Sequence, residues 1–104
     1  MTELVYKILT RPQWSILQKT REFSGSPDDL RDGFVHLSTL EQLPGTLAKH
    51  FAGQTDLVLV EVPVRALGPA LRWELSRGGA LFPHLYGVLR LADVQMTSQG
   101  DVLG

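Results

Sequence analysis

The chain of 104 residues contains no cysteine, which excludes disulfides, thiolate zinc sites and a cysteine nucleophile. A chain without thiols suits a reducing compartment, and a cytoplasmic location is the expectation. Long apolar runs are also missing. LVLVEV is the longest kind of stretch present, far short of the roughly 20 residues that span a bilayer, and MTELVYK lacks the basic-then-apolar layout of a secretory signal. No membrane partner is expected. There is no basic block either: ten Lys and Arg against eleven Asp and Glu leave a formal charge of −1. Tight non-specific nucleic-acid binding is not expected, because that affinity scales with the number of phosphates neutralised. A local basic pocket for one small phosphate ligand stays open. No repeat, low-complexity tract or linker divides the sequence, so residues 1–104 read as a single domain, with QGDVLG (99–104) as a polar tail that frays. A chain of this length hides about two thirds of its unfolded surface, enough for one core.

What is present punctuates the chain clearly. LVYKILT (4–10) reads as an opening strand. Pro12 suits the first turn of a helix, and Trp14, Ile16 and Leu17 are compatible with one apolar face. Ser26, Pro27 and Asp29 have the spacing of a cap for a short helical turn. GFVHL is a short strand. Ser38 with Glu41, and equally Thr39 with Gln42, have capping-box spacing, so a helix is expected at the strand's end, interrupted near Pro44 and Gly45 and stopping at Gly53. DLVLVEV (56–62) is the clearest strand; a turn at Gly68-Pro69 precedes another over 71–75. SRGGALFPHLYG reads as a loop, since Gly78-Gly79 can bend and Pro83 cannot donate a ladder bond. GVLRL and VQMTS read as closing strands. Strands outnumber helices, and an α+β domain is the expected class.

Alternation divides the strands into faces. In GFVHLS, Phe34, His36 and Ser38 share one face, and Val35 and Leu37 the other. In LRWEL, Arg72 and Glu74 oppose Leu71, Trp73 and Leu75. If FPHLY is extended, Phe82, His84 and Tyr86 oppose Pro83 and Leu85. Three separate segments thus offer polar or aromatic groups able to converge. Each also has a structural role open to it: His36 as a satisfied buried histidine, Ser38 or Thr39 as a helix cap, Glu74 as a surface partner of Arg72, Arg77 or Arg90, Tyr86 and Trp14 as core anchors, His50 as a surface group. No metal site is expected, because no two histidines have helical i, i+4 spacing.

Two chemistries follow. His36 and His84 are each followed two residues later by a hydroxyl, Ser38 and Tyr86, and two imidazoles can act as base and acid on a phosphodiester. This is similar to two-histidine phosphoesterases, although the second copy ends in Tyr86 and the flanking repeat is missing. Alternatively, a strand-end His-x-Ser with a ring and a carboxylate suits NAD: hydrogen bonds for the ribose, a flat surface for nicotinamide, an anion for a developing oxocarbenium ion.

Tyr6-Lys7-Ile8, Trp14, Asp32-Gly33-Phe34-Val35-His36-Leu37-Ser38-Thr39 with Gln42, DLVLVEV, Arg72-Trp73-Glu74 and Phe82-Pro83-His84-Leu85-Tyr86-Gly87 together resemble a family of small bacterial and plant proteins known as domain of unknown function 952. The resemblance covers nearly the whole chain. It implies an ADP-ribosyltransferase-like fold, a mixed, split pair of small sheets with a few short helices around a nucleotide cleft. It further implies that His36 bonds a ribose hydroxyl, that Ser38 or Thr39 seats the nicotinamide amide, and that Tyr86 or Trp14 stacks. Glu74 or His84 would handle charge or a proton, with Arg72 also at the ligand. The catalytic Glu of that superfamily usually follows the stacking aromatic, whereas Glu74 precedes Tyr86 here. The implied partner is a small nucleotide, with NAD as a substrate and no cofactor required. The implied reactions are transfer or hydrolysis at a glycosidic C–N bond, or phosphotransfer, because RNA 2′-phosphotransferases share the broader fold. A non-enzymatic small-ligand or partner-binding module is the alternative.

Overall fold

β1 (Leu4–Thr10) and β4 (Leu57–Pro63) pair antiparallel over their full length, with Leu4 opposite Pro63 and Thr10 opposite Leu57. The computed structural model describes residues 3–100, and in it β8 (Met96–Gly100) adds to the other edge of β4. Both faces of this sheet are covered. Val5 and Leu9 meet Val58, Val60 and Val62 in the main core, while Tyr6 and Ile8 pack against Leu43 of α3 (Leu43–His50). Fully burying each such aliphatic side chain contributes about 1.5–3 kcal/mol.

α1 (Arg11–Thr20) starts where Thr10 and Gln13 cap each other's backbone N–H groups, with Pro12 in the first turn. Trp14 and Leu17, three apart, form its buried stripe. Ile16, expected on that face, is 50% exposed, because it lies about 200° around the helix from Trp14. β2 (Glu22–Phe23) pairs with β7 (Leu89–Arg90) and carries Phe23 and Leu89 into the core. α2 (Pro27–Asp32) begins at the expected Ser26 and Asp29 capping box.

β3 (Val35–His36), β6 (Leu81–Leu85) and β5 (Leu71–Leu75) form a second three-stranded sheet in the order β3-β6-β5. The segment read as a loop is therefore its central strand. Proline survives there because the β3 ladder is so short: Pro83 accepts a bond from the Leu37 N–H (3.0 Å) and returns none. The chain then turns to β1, where Tyr6 and Ser38 exchange both backbone bonds, at 2.8 and 2.9 Å, and so link the two sheets. Thr39 and Gln42 close a reciprocal cap over the following turn, and Pro44 sits in the first turn of α3 without interrupting it.

α4 (Val64–Leu67) and a 3-10 turn (Gly68–Ala70) lead into β5, and the turn Arg77–Gly79 joins β5 to β6. Gly78 (φ 69°) and Gly79 (φ 77°) take the left-handed backbone this reversal needs. The result is an α+β fold, with three small sheets among the described residues and every strand pairing there antiparallel, where parallel and antiparallel strands together were expected. Of the anticipated polar tail, Gln99 and Gly100 belong to β8 and residues 101–104 lie outside the described residues. Among the described residues no helix is long and apolar enough to cross a membrane.

Candidate functional site

Lys7 sits on the core-facing side of β1, between Val5 and Leu9 and opposite Val60. An unpaired ammonium there would be prohibitively costly. Its Nζ donates to Asp29 Oδ2 at 2.9 Å, to Asp29 Oδ1 at 3.2 Å and to the His36 carbonyl at 2.9 Å. Asp29, in the first turn of α2, also accepts from the backbone N–H groups of Ser26 (2.9 Å) and His36 (3.1 Å), and its Oδ1 lies 2.6 Å from His36 Nδ1. Gly25 makes room for it: with φ at 136°, a Cβ at this position would lie 2.6 Å from that of Asp29.

Burial pushes Lys7 down from the ordinary lysine value, with Asp29 opposing the shift. Burial would push Asp29 up, but the His36 bond, the Lys7 charge and the Ser26 N–H outweigh it and hold the carboxyl well below the usual range. The two directions conflict, and the bonding decides between them. Three acceptors around Nζ require three protons, so the pair is ionised.

His36 projects from β3 with its other nitrogen, Nε2, 3.0 Å from Asp32 Oδ2. Both ring nitrogens are thus engaged by carboxylates, although the side chain is 36% exposed. Asp32 is itself held low, chiefly by Arg31.

His84 stands directly opposite His36 in the β3–β6 register, ring centroids 5.6 Å apart, and its side chain is only 6% exposed. Phe34 stacks on it at 4.0 Å. Its Nδ1 lies 2.8 Å from Glu74 Oε1, and the Tyr86 hydroxyl donates to the same oxygen at 2.8 Å. The His84 bond, then the Tyr86 bond, lower the Glu74 carboxyl, and the shared oxygen raises the Tyr86 hydroxyl. A carboxylate only accepts, so Nδ1 carries the proton, and Nε2 is left without a protein partner among the described residues.

Between these groups and α3 lies a cavity of about 330 Å³. One wall carries Lys7, Asp29, Asp32, His36, Ser38 and His84. Thr46, Lys49 and His50 of α3 also line the cavity, as do Arg77 and Phe82. The Ser38 hydroxyl is 2.9 Å from that of Thr46, which also accepts from Arg77 Nη2 at 3.1 Å. The Arg77 guanidinium lies 4.8 Å from the Phe82 ring centroid.

Of the residues singled out by sequence, His36, Ser38 and His84 line the cavity together. Arg72, Glu74 and Tyr86 share the His84 face of the sheet, since Arg72 pairs with His84 and Glu74 with Phe82 in register. They nevertheless do not line the cavity, and the Arg72 guanidinium lies 4.9 Å over the Tyr86 ring. Tyr86 is therefore engaged with Arg72, Glu74 and Phe34, not offered for stacking in the cavity. Trp14, the other ring proposed for stacking, is buried in the main core. Thr39 is committed to Gln42 across the turn that precedes α3. Sequence reasoning missed the roles of Lys7, Asp29, Asp32, Thr46, Arg77 and Phe82. The usable signal was Lys7, a lysine at core parity inside an apolar strand, which demands a buried acid.

The family model described as protein of unknown function (DUF952) matches residues 8–97. The crystal structure of protein CC0527 from Caulobacter crescentus is similar at 49% identity, covering 92% of this chain and 84% of that one, with a TM-score of 0.89. The solution NMR structure of CC0527 matches at 49% identity over 91% and 82% of the two chains, with a TM-score of 0.81. No curated protein matches the chain.

Proposed function

The chain belongs to the DUF952 family of proteins of unknown function, and on that footing we propose that it has an ADP-ribosyltransferase-like fold and binds or processes NAD or a related nucleotide in the cavity between His36 and His84. The observation that carries this reading is His84: a buried imidazole, stacked by Phe34, with Glu74 on Nδ1 and a free Nε2 at a cavity of ligand size. That is the arrangement a general base or acid needs. The cavity's about 330 Å³ lies at the lower end of small-molecule pockets, so it accommodates one ribosyl half of NAD and leaves the rest outside.

In this reading the His36–Asp32 edge meets the ribose hydroxyls, exchanging their mutual contact for bonds to the sugar, and Phe82 supplies the apolar wall that Tyr86 does not. Glu74 acts through His84 and does not face a developing oxocarbenium ion itself. Cleavage of a glycosidic C–N bond or removal of a phosphate would then depend on proton transfer at His84 Nε2. With both His36 nitrogens held by carboxylates, one imidazole is free instead of two, which favours the nucleotide reading over a two-histidine phosphoesterase. NMR titration with NAD and ADP-ribose tests the proposal. Shifts should concentrate at His36, Phe82 and His84; silence at all three with millimolar ligand would overturn it.

A further inference from the structure

The charges around the cavity are unevenly matched. Each carboxylate lining it is already engaged: Asp29 with Lys7 and His36, Asp28 with Arg31 at 3.1 Å, Asp32 with Arg31 and His36. Of the cations that line the same cavity, Lys49 and His50 from α3 and Arg77 from the β5–β6 turn have no carboxylate partner among the described residues. Among the described residues Arg77 donates to the neutral Thr46 hydroxyl and rests on the Phe82 ring. In a protein whose formal charge is −1, these three groups are a local excess of positive charge on a concave surface. The His50 imidazole registers it. Partial burial, then the Arg77 and Lys49 charges, push it down, with His36 adding to the effect and Asp28 opposing it.

We propose that Lys49, His50 and Arg77 form a subsite for a phosphate or diphosphate group, so that the cavity takes a phosphorylated nucleotide in preference to a free nucleoside. The identity of the nucleotide rests on the function proposed above; the anion subsite itself does not. Arg77 is suited to the task, because its planar fork can exchange a single bond to Thr46 for two bonds to phosphate oxygens. His84 and the His36–Asp32 edge line the same cavity, so in this reading they meet the sugar while the cations hold the phosphate.

Two titrations at low ionic strength test this, one with inorganic pyrophosphate and one comparing ADP-ribose with adenosine. Pyrophosphate should shift the amides of Lys49, His50 and Arg77. ADP-ribose should bind at least about tenfold more tightly than adenosine, as expected for charge-assisted bonds, and the preference should shrink with added salt. Lys49→Gln combined with Arg77→Gln should collapse that ratio towards one. Lys49→Gln alone, at an exposed position, should reduce it in part and covers the case in which the double variant does not fold. Pyrophosphate shifts without any nucleotide binding would keep the subsite and remove the nucleotide reading. Nucleotide binding with no preference for phosphate, or a preference that survives both substitutions, would overturn the subsite and leave the nucleotide reading intact.

Discussion

His36 and His84 face each other across neighbouring strands, yet their surroundings could hardly differ more. Around His36, Asp29 and Asp32 take both ring nitrogens, and Asp29 is in turn anchored to buried Lys7. Around His84, one carboxylate that does not line the cavity takes one nitrogen, and the other nitrogen is free among the described residues. The number and side of the carboxylates, not the residue type, separate a ring that holds the wall together from one able to move a proton. The better exposed histidine is the more constrained, and the buried one is the one left available.

The contrast should break hardest at Asp29. Asp29→Asn leaves Lys7 as an uncompensated buried charge and should cost about 3–5 kcal/mol, read as a lower midpoint in urea unfolding. Adding Lys7→Met should recover part of that loss, because the two positions are coupled. A double variant as unstable as the sum of its single variants would show that the pair does not act as a unit.

Acid should expose the same asymmetry less abruptly. Since the folded-state Asp29 carboxyl is held below its unfolded value of about 3.9, the stability it lends is complete above that value and drains as pH falls towards the folded one. Melting temperature followed from pH 5 downward should drop in the wild type and fall less steeply in the Lys7→Met, Asp29→Asn protein. Equal slopes would mean that other carboxylates dominate.

Smaller still, His36→Gln should cost about 1–3 kcal/mol of stability through its lost carboxylate bonds. The smallest effect belongs to Glu74→Gln, which should scarcely move the urea midpoint. It should nevertheless change the tautomer balance of His84, visible in the 15N shifts of its ring, because the group that holds the proton on Nδ1 is then no longer a pure acceptor. An unchanged ring spectrum would place the control of His84 elsewhere.

What could be read in advance was local. β1, β4 and the cap at Ser26 follow from composition, alternation and capping spacing, which need only near neighbours, whereas the Thr39–Gln42 spacing closes a turn and α3 starts only at Leu43. β6 was illegible for the same reason: Gly78, Gly79 and Pro83 speak locally for a loop, and only pairing on both sides makes 81–85 a strand. Alternation correctly grouped Glu74, His84 and Tyr86 on one face, but nothing in the pattern says that only His84 of the three lines the cavity. Asp29 was legible as a cap and illegible as the acid beneath Lys7, since that contact joins a strand and a helix start far apart in sequence.

The paired backbone bonds between Tyr6 and Ser38 stitch one sheet to the other directly beneath the cavity wall. A seam held by so few stitches is where breathing between the sheets would start. Deuterium uptake at those two amides would therefore gauge how tightly an occupant clamps the molecule shut, without any label on the occupant itself.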